Sequence, residues 1–342
     1  MELRTLGGTG MKVSPFCLGA MMLGKIGNPD HDDCMRIIHR AIDGGINFID
    51  TADGYSRGES EEIVGKAIKG RRDNLIIATK FFAAMGDDPN MRGGSRRWIV
   101  RAVEDSLRRL GTDYIDLYQY HRFDETVELE EVLFTLTELV RQGKIRQFGC
   151  SSFPADQIVE AHWISEKMGL ARFRCDQSAY SIFNRSIERF VLPACKRYGM
   201  GEITFSPLDG GYLSGRYRKP EDLEGENRMS FFGRITGKPF DPYTDAIRNK
   251  LKLVDELTVL AEENGMTLAQ MAVAFVIQHP VVTAAIIGPR KVDHLESLLP
   301  ALELKLTTEM LDRIDELVPP GTSLNPINDS PSGTTKAALR RA

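Results

Sequence analysis

A chain of 342 residues is long enough for one α/β barrel or for two smaller domains. With 42% hydrophobic and 27% charged residues, and a longest apolar run of only residues 271–277, it falls outside the collagen-like, disordered and helical membrane-spanning classes. A net charge of -4, from 44 basic against 48 acidic residues, argues against nucleic acid as the main partner.

The opening residues, Met-Glu-Leu-Arg-Thr-Leu-Gly-Gly, hold no basic segment followed by an apolar run, so a cytoplasmic location with no membrane partner is expected. Cys17, Cys34, Cys150, Cys175 and Cys195 are odd in number and widely spaced, which fits a reducing compartment, and they read as small buried hydrophobes. The histidines lack zinc-type spacing, so no metal is expected.

In chain order, residues 3–13, centred on Gly7-Gly8-Thr9-Gly10, read as a β-hairpin, and a strand follows at 16–19. Asp30, Asp32 and Asp33 put negative charge at a helix start, Met35, Ile38 and Ile42 form its apolar stripe, and Gly44-Gly45 ends it. Further strands are predicted at 46–50, 75–79, 115–119, 145–149, 173–176, 203–205 and 282–287, each followed by helical periodicity. In the helix predicted over 96–110, Ile99, Val103, Leu107 and Leu110 share a face, and Gly111 stands where a left-handed cap belongs.

Eight strand-helix units fit an α/β (β/α)8 TIM barrel, with the N-terminal β-hairpin as a plug of its lower mouth, although an open doubly wound sheet uses the same elements. Residues 1–317 are expected to form it as a single domain. The step from the seventh strand to the eighth is by far the longest. It holds a polar loop over 216–244, read as a lid over one face, and a two-part helical segment after it. Residues 318–342, rich in Pro, Ser, Thr, Asn and Gly, read as an irregular C-terminal tail that drapes over the barrel or stays disordered.

Several motifs lead nowhere. The segment from Gly19 to Lys25 has P-loop spacing, but Ile26 replaces the hydroxyl that would bind magnesium, and Pro29 interrupts the helix, so it reads as a strand-to-loop turn. No G-x-G-x-x-G occurs, which removes the simplest dinucleotide-binding fold. The sequons at Asn184 and Asn328 read as chance, and Phe231-Phe232 reads equally as a ligand clamp or as loop packing.

Four polar residues stand at or just beyond predicted strand ends: Asp50, Tyr55, Lys80 and His121. In a barrel those ends share one mouth. A phenol is a poor proton donor at neutral pH unless a nearby cation favours its anion, and Lys80 can supply that cation. A buried ammonium in turn needs a carboxylate, for which Asp50 is the candidate. His121 would hold a carbonyl oxygen against the phenol, and the set suits reduction of a carbonyl by hydride.

On these motifs the chain resembles the aldo-keto reductases over residues 1–317. The resemblance implies the (β/α)8 fold, NADP(H) as cofactor, a small-molecule carbonyl substrate, and Asp50, Tyr55, Lys80 and His121 as the catalytic tetrad. It implies that Ser151, Ser152 and Gln177 hold the nicotinamide carboxamide. Phe205 would stack beneath the ring, with Gly19, Met21 and Asp50 also lining the cofactor. Ser206, Pro207 and Leu208, running on to Gly211, Ser214 and Arg216, would wrap the pyrophosphate, and Gly288, Arg290 together with Lys291, and His294 would meet the adenosine end with its 2'-phosphate.

The chain departs from the family pattern at Ser152 in place of Asn, at Ile287 in place of Pro, and at His294 and Leu298, where Gln and Asn often meet the adenine. Substrate contacts would come from Met22, the loop 81–92, Arg122-Phe123 and the lid after Ser214. The resemblance leaves two other roles open: a dedicated reductase of a keto sugar or polycyclic metabolite, and an NADPH-binding redox-sensing barrel of the potassium-channel β type, for which the sequence offers no added N-terminal segment. The oligomeric state has no readable motif.

Overall fold

The computed structural model describes residues 1–225, 227, 229–230, 233 and 240–324. Two short antiparallel strands, β1 (Arg4–Thr5) and β2 (Lys12–Val13), come first. Eight more, β3 (Phe16–Gly19), β4 (Phe48–Asp50), β5 (Ile76–Phe81), β6 (Ile115–Tyr120), β7 (Ile145–Ser151), β8 (Cys175–Ala179), β9 (Gly201–Phe205) and β10 (Val282–Ile287), close on themselves. Their order is β10-β3-β4-β5-β6-β7-β8-β9 and every neighbouring pair is parallel, so the chain is a (β/α)8 TIM barrel and the open sheet is ruled out by closure.

Around the barrel run α1 (His31–Asp43), α2 (Glu59–Ala67), α3 (Arg96–Leu110), α4 (Leu129–Arg141), α5 (Ala155–Met168) and α6 (Val191–Tyr198). They are followed by α7 (Asp245–Glu263), α8 (Leu268–Gln278), α9 (Val292–Leu298) and α10 (Thr308–Leu317). The local signals behave as their chemistry requires. Asp30 accepts the Asp33 N–H as the cap of α1, and Gly111 ends α3 with φ of 65°. The apolar run 271–277 lies within α8, buried along its whole length. Among the described residues no helix is long and apolar enough to cross a membrane.

Six of the eight barrel strands differ from expectation at a boundary by one to three residues, and two of these differences bear on the site. The strand read at 173–176 begins at Cys175 and continues to Ala179, because Gln177 and Ser178 keep pairing with Ile203 and Thr204 while Phe173 leaves the ladder to pack edge-on against Phe148 and Phe153. The strand read at 75–79 runs on through Lys80 and Phe81, because the lysine's charge is satisfied inside the barrel.

A strand turns alternate side chains to opposite faces, so the barrel has an inner and an outer core. Cys17, Phe48, Ala78, Leu117, Cys175, Ile203, Ala284 and Ile286 fill the inside, joined from below by Leu6 and Val13 of the hairpin. The hairpin plugs the lower mouth: Gly8 donates to the Gly199 carbonyl at 2.9 Å, and Gly7 lies against the start of β9. The larger cluster fills the space between strands and helices. Residues 318–324 lie across the segment after β8, where Arg185 N–H donates to Thr322 O at 2.7 Å and Leu324 N–H to Phe183 O at 2.8 Å. The tail from 325, with Asn328, is outside the described residues, as are Phe231, Phe232 and much of the expected lid. Asn184 is buried, with its oxygen accepting from Ser186, so it is no glycosylation acceptor.

Candidate active site

The site follows from the period of two along each strand. Two residues beyond the inner apolar ring, at the carboxyl ends of the same strands, stand Gly19, Asp50, Lys80, Gln119, Gln177, Phe205 and Gly288. Where the lower layers are apolar, this top layer is largely polar, and it cannot stay so without internal partners.

Those partners are present. Lys80 Nζ pairs with Asp50 Oδ1 in an ion pair shut off from solvent, and it also donates to Thr51 O at 2.8 Å and to Tyr55 Oη at 3.3 Å. The other carboxylate oxygen, Asp50 Oδ2, accepts from Gln119 Nε2 at 3.0 Å and from Gln177 Nε2 at 2.9 Å. Burial pulls the ammonium's pKa down, but the Asp50 charge and Tyr55 outweigh it and leave Lys80 above its ordinary value, hence charged.

Tyr55 is carried by the loop after β4, in a turn whose next three residues all have left-handed backbone: Ser56, Arg57 and Gly58, with φ of 48°, 57° and 94°. His121 directly follows β6, and its ring meets the Tyr55 ring edge-on at 5.9 Å between centroids. Burial holds the imidazole well below its usual pKa, with the charges of Arg122 and Lys80 pushing the same way, so the ring is neutral at pH 7. The four sequence-predicted tetrad residues therefore meet at one mouth. A neutral imidazole donor, a phenol and a buried ammonium converge there.

The remaining predicted residues lie around the same rim. Ser151 ends β7 and donates to Gln177 O at 2.9 Å, and Ser152 N–H donates to the same oxygen at 3.0 Å. Gly19 ends β3, and Met21 follows in the next loop. Phe205 ends β9 and packs on the inner core. Ser206, Pro207 and Leu208 lead into a tight segment holding Gly211 and Ser214, whose hydroxyl donates to Gly211 O at 2.6 Å. Gly288 and Arg290 follow β10, and His294 lies in α9. Besides burial, the charges of Arg290, Arg216 and Lys291 depress the His294 pKa, so three cations gather at one edge of the mouth, an arrangement that suits an anionic ligand.

Backbone strain gathers here as well. Among the described residues, the non-glycine residues with left-handed φ are Ser56, Arg57, Phe82, Ser152, Ser206 and Asp209, all in segments leaving the carboxyl ends of strands.

Sequence reasoning missed Gln119. The signal was present: Leu117 and Gln119 share a face of β6, so a glutamine stood on the inward side, next in parity to an apolar core residue. Gln177 was read as a cofactor contact; here its amide donates to Asp50 and, at 3.1 Å, to Gln119. Also missed was a buried acidic pair on the outer face, Asp176 and its β9 partner Glu202. All the cysteines are buried, but three do more than fill space: Cys150 Sγ donates to Asp176 at 3.3 Å, Cys195 Sγ to Glu202 at 3.5 Å and Cys34 Sγ to Asn28 O at 3.2 Å.

Comparison with known proteins agrees with this architecture. Residues 15–319 match the family model described as the Aldo/keto reductase family. The chain is 37% identical over 330 residues to the uncharacterized oxidoreductase YrpG of Bacillus subtilis, covering 93% of this chain and 96% of that protein. It is 35% identical to a putative voltage-gated potassium channel subunit beta of Schizosaccharomyces pombe, covering 93% of each. It is 33% identical to norsolorinic acid reductase B of Aspergillus parasiticus, covering 89% and 81%.

Proposed function

The chain belongs to the aldo/keto reductase family and is an oxidoreductase acting on carbonyl groups, and on that premise we propose an NADPH-dependent reductase of aldehydes or ketones with Tyr55 as general acid. The observation that carries the reading is the single chain of contacts from Asp50 through Lys80 to Tyr55, with neutral His121 beside the phenol. The cofactor supplies the hydride.

The protein's own groups do the rest. His121 donates a hydrogen bond to the substrate oxygen, and Tyr55 delivers its proton to that oxygen as negative charge builds on it. The phenolate left behind faces the Lys80 ammonium, which Asp50 keeps charged and Thr51 O keeps aimed. Gln119 and Gln177 fix the Asp50 carboxylate, so its rotamer is set before substrate arrives.

We assign the nicotinamide end to the rim of Ser151, Ser152 and Phe205, and the 2'-phosphate to the Arg216, Arg290, Lys291 and His294 edge, whose convergent positive charge supports NADP(H) over NAD(H). Consumption of NADPH over a panel of aldehydes and ketones tests the activity; binding of NADPH with no turnover of any of them would refute it. Replacing Tyr55 with Phe is expected to lower kcat by about 10²- to 10⁴-fold while NADPH affinity stays within about twofold. Activity that survives the change removes Tyr55 as the acid.

The likeness to a protein named as a channel β subunit supports a second reading, a barrel that binds cofactor and turns over slowly as part of a larger assembly. Slow cofactor release together with a stable complex with a membrane protein would favour it.

A further inference from the structure

Arg122 is a cation at the mouth that the tetrad chemistry does not use. It follows His121, and its Nη1 donates to the His121 carbonyl at 2.6 Å and approaches the hydroxyls of Ser151 and Ser152 at 3.4 Å each. Among the described residues no carboxylate lies within 4.0 Å of its guanidinium, and its Nε and Nη2 meet no acceptor. Three less exposed arginines, by contrast, face carboxylates: Arg72 faces Asp116, Arg109 faces Glu61, and Arg185 faces Glu188 and Asp315.

Arg122 is exposed, although the protein crowded around it lowers its pKa, with the charges of Tyr55 and Asp176 acting against that. The guanidinium therefore lies within electrostatic reach of both groups assigned to the substrate oxygen, Tyr55 and His121. A substrate seated there covers the cation, and a covered cation whose Nε and Nη2 meet no acceptor is costly. A neutral amide or hydroxyl does not cancel that charge. A carboxylate does, because it accepts two parallel N–H bonds from the fork.

We propose that Arg122 makes this protein select carbonyl compounds that carry a carboxylate, such as oxo acids and carboxy-aldehydes, the guanidinium binding the carboxylate while Tyr55 and His121 hold the carbonyl oxygen. The inference rests on the reductase reading.

The test compares 4-carboxybenzaldehyde with its neutral methyl ester at saturating NADPH, for the wild type, Arg122→Met and Arg122→Lys, with NADPH affinity measured separately by fluorescence titration. The acid-to-ester ratio of kcat/KM is expected to exceed one in the wild type and to shrink as salt is raised, a readout that needs no variant. It is expected to fall about 10- to 100-fold in Arg122→Met, chiefly through KM for the acid, and less in Arg122→Lys. An unchanged ratio in Arg122→Met overturns the inference. So does a loss confined to NADPH affinity, which would assign Arg122 to the nicotinamide carboxamide. A wild type active on neutral aldehydes with no preference for the acid overturns this inference alone. A wild type that binds NADPH and reduces no aldehyde overturns the reductase reading and this inference with it.

Discussion

Lys80 is held by three protein oxygens, of Asp50, Thr51 and Tyr55, in a place that solvent does not reach. Breaking one side of such a pair leaves the other charge buried and uncompensated. Lys80→Met is expected to lower stability by about 3–5 kcal/mol, read from urea unfolding, and to remove turnover along with it. Lys80→Arg is not expected to restore activity, since a planar fork cannot occupy the seat of a compact ammonium. That residues 50, 55, 80 and 121 share one mouth was readable from sequence, because Asp50, Lys80 and His121 each close an apolar strand-like run and Tyr55 follows in the loop after the first of them. Gln119 was not recognised for the opposite reason: it lies inside such a run, where only the parity of β6 reveals that it faces Asp50.

Among the elements, the hairpin plug depends on Gly7. Its φ is 49°, and a Cβ there would stand 2.6 Å from both Arg174 O and Gly201 N, the backbone at the foot of β8 and β9. Gly7→Ala must adopt a left-handed conformation and push a strand end aside, at an expected cost of about 2–4 kcal/mol. Differential scanning calorimetry would register this as a lower Tm. Because the plug closes the mouth opposite the tetrad, NADPH affinity measured well below the transition is expected to change less than Tm does. The glycine cluster announced a turn, but that one of its members had to be glycine for want of space became evident only when the hairpin met the barrel.

For the molecule as a whole, buried acids set a pH dependence. Burial, then the charge of Glu61, raises the Asp53 pKa to about 7; its carboxylate oxygens have no hydrogen-bonding side chain among the described residues. Burial raises Asp176 to about 6 against the hydrogen bonds of Ser178 and Cys150, and raises Glu202 as well, with Asp176 beside it. A carboxyl whose folded pKa is raised binds its proton more tightly in the folded state. Its contribution is present in full below the unfolded value near 4 and is lost as pH climbs through about 6 to 7. The variant Asp53→Asn is therefore expected to be more stable than the wild type at pH 8 by about 2–4 kcal/mol, with the gap closing toward pH 4. Urea midpoints of both proteins across that range check it, and a gap that widens toward acid pH would reverse the sign argued here.

From its sequence alone this protein is an alternation of β-rich runs and amphipathic helices with a polar residue at the end of several runs, because propensity, capping and periodicity act over a few residues and are written locally. Closure of the barrel, the meeting of residues 50, 80, 119 and 177 on one carboxylate, and the unbalanced charge of Arg122 were decided only by the tertiary structure. Each depends on the register between strands far apart in the chain, and register comes from packing the inner and outer cores together, a property of the whole ring that no single strand carries.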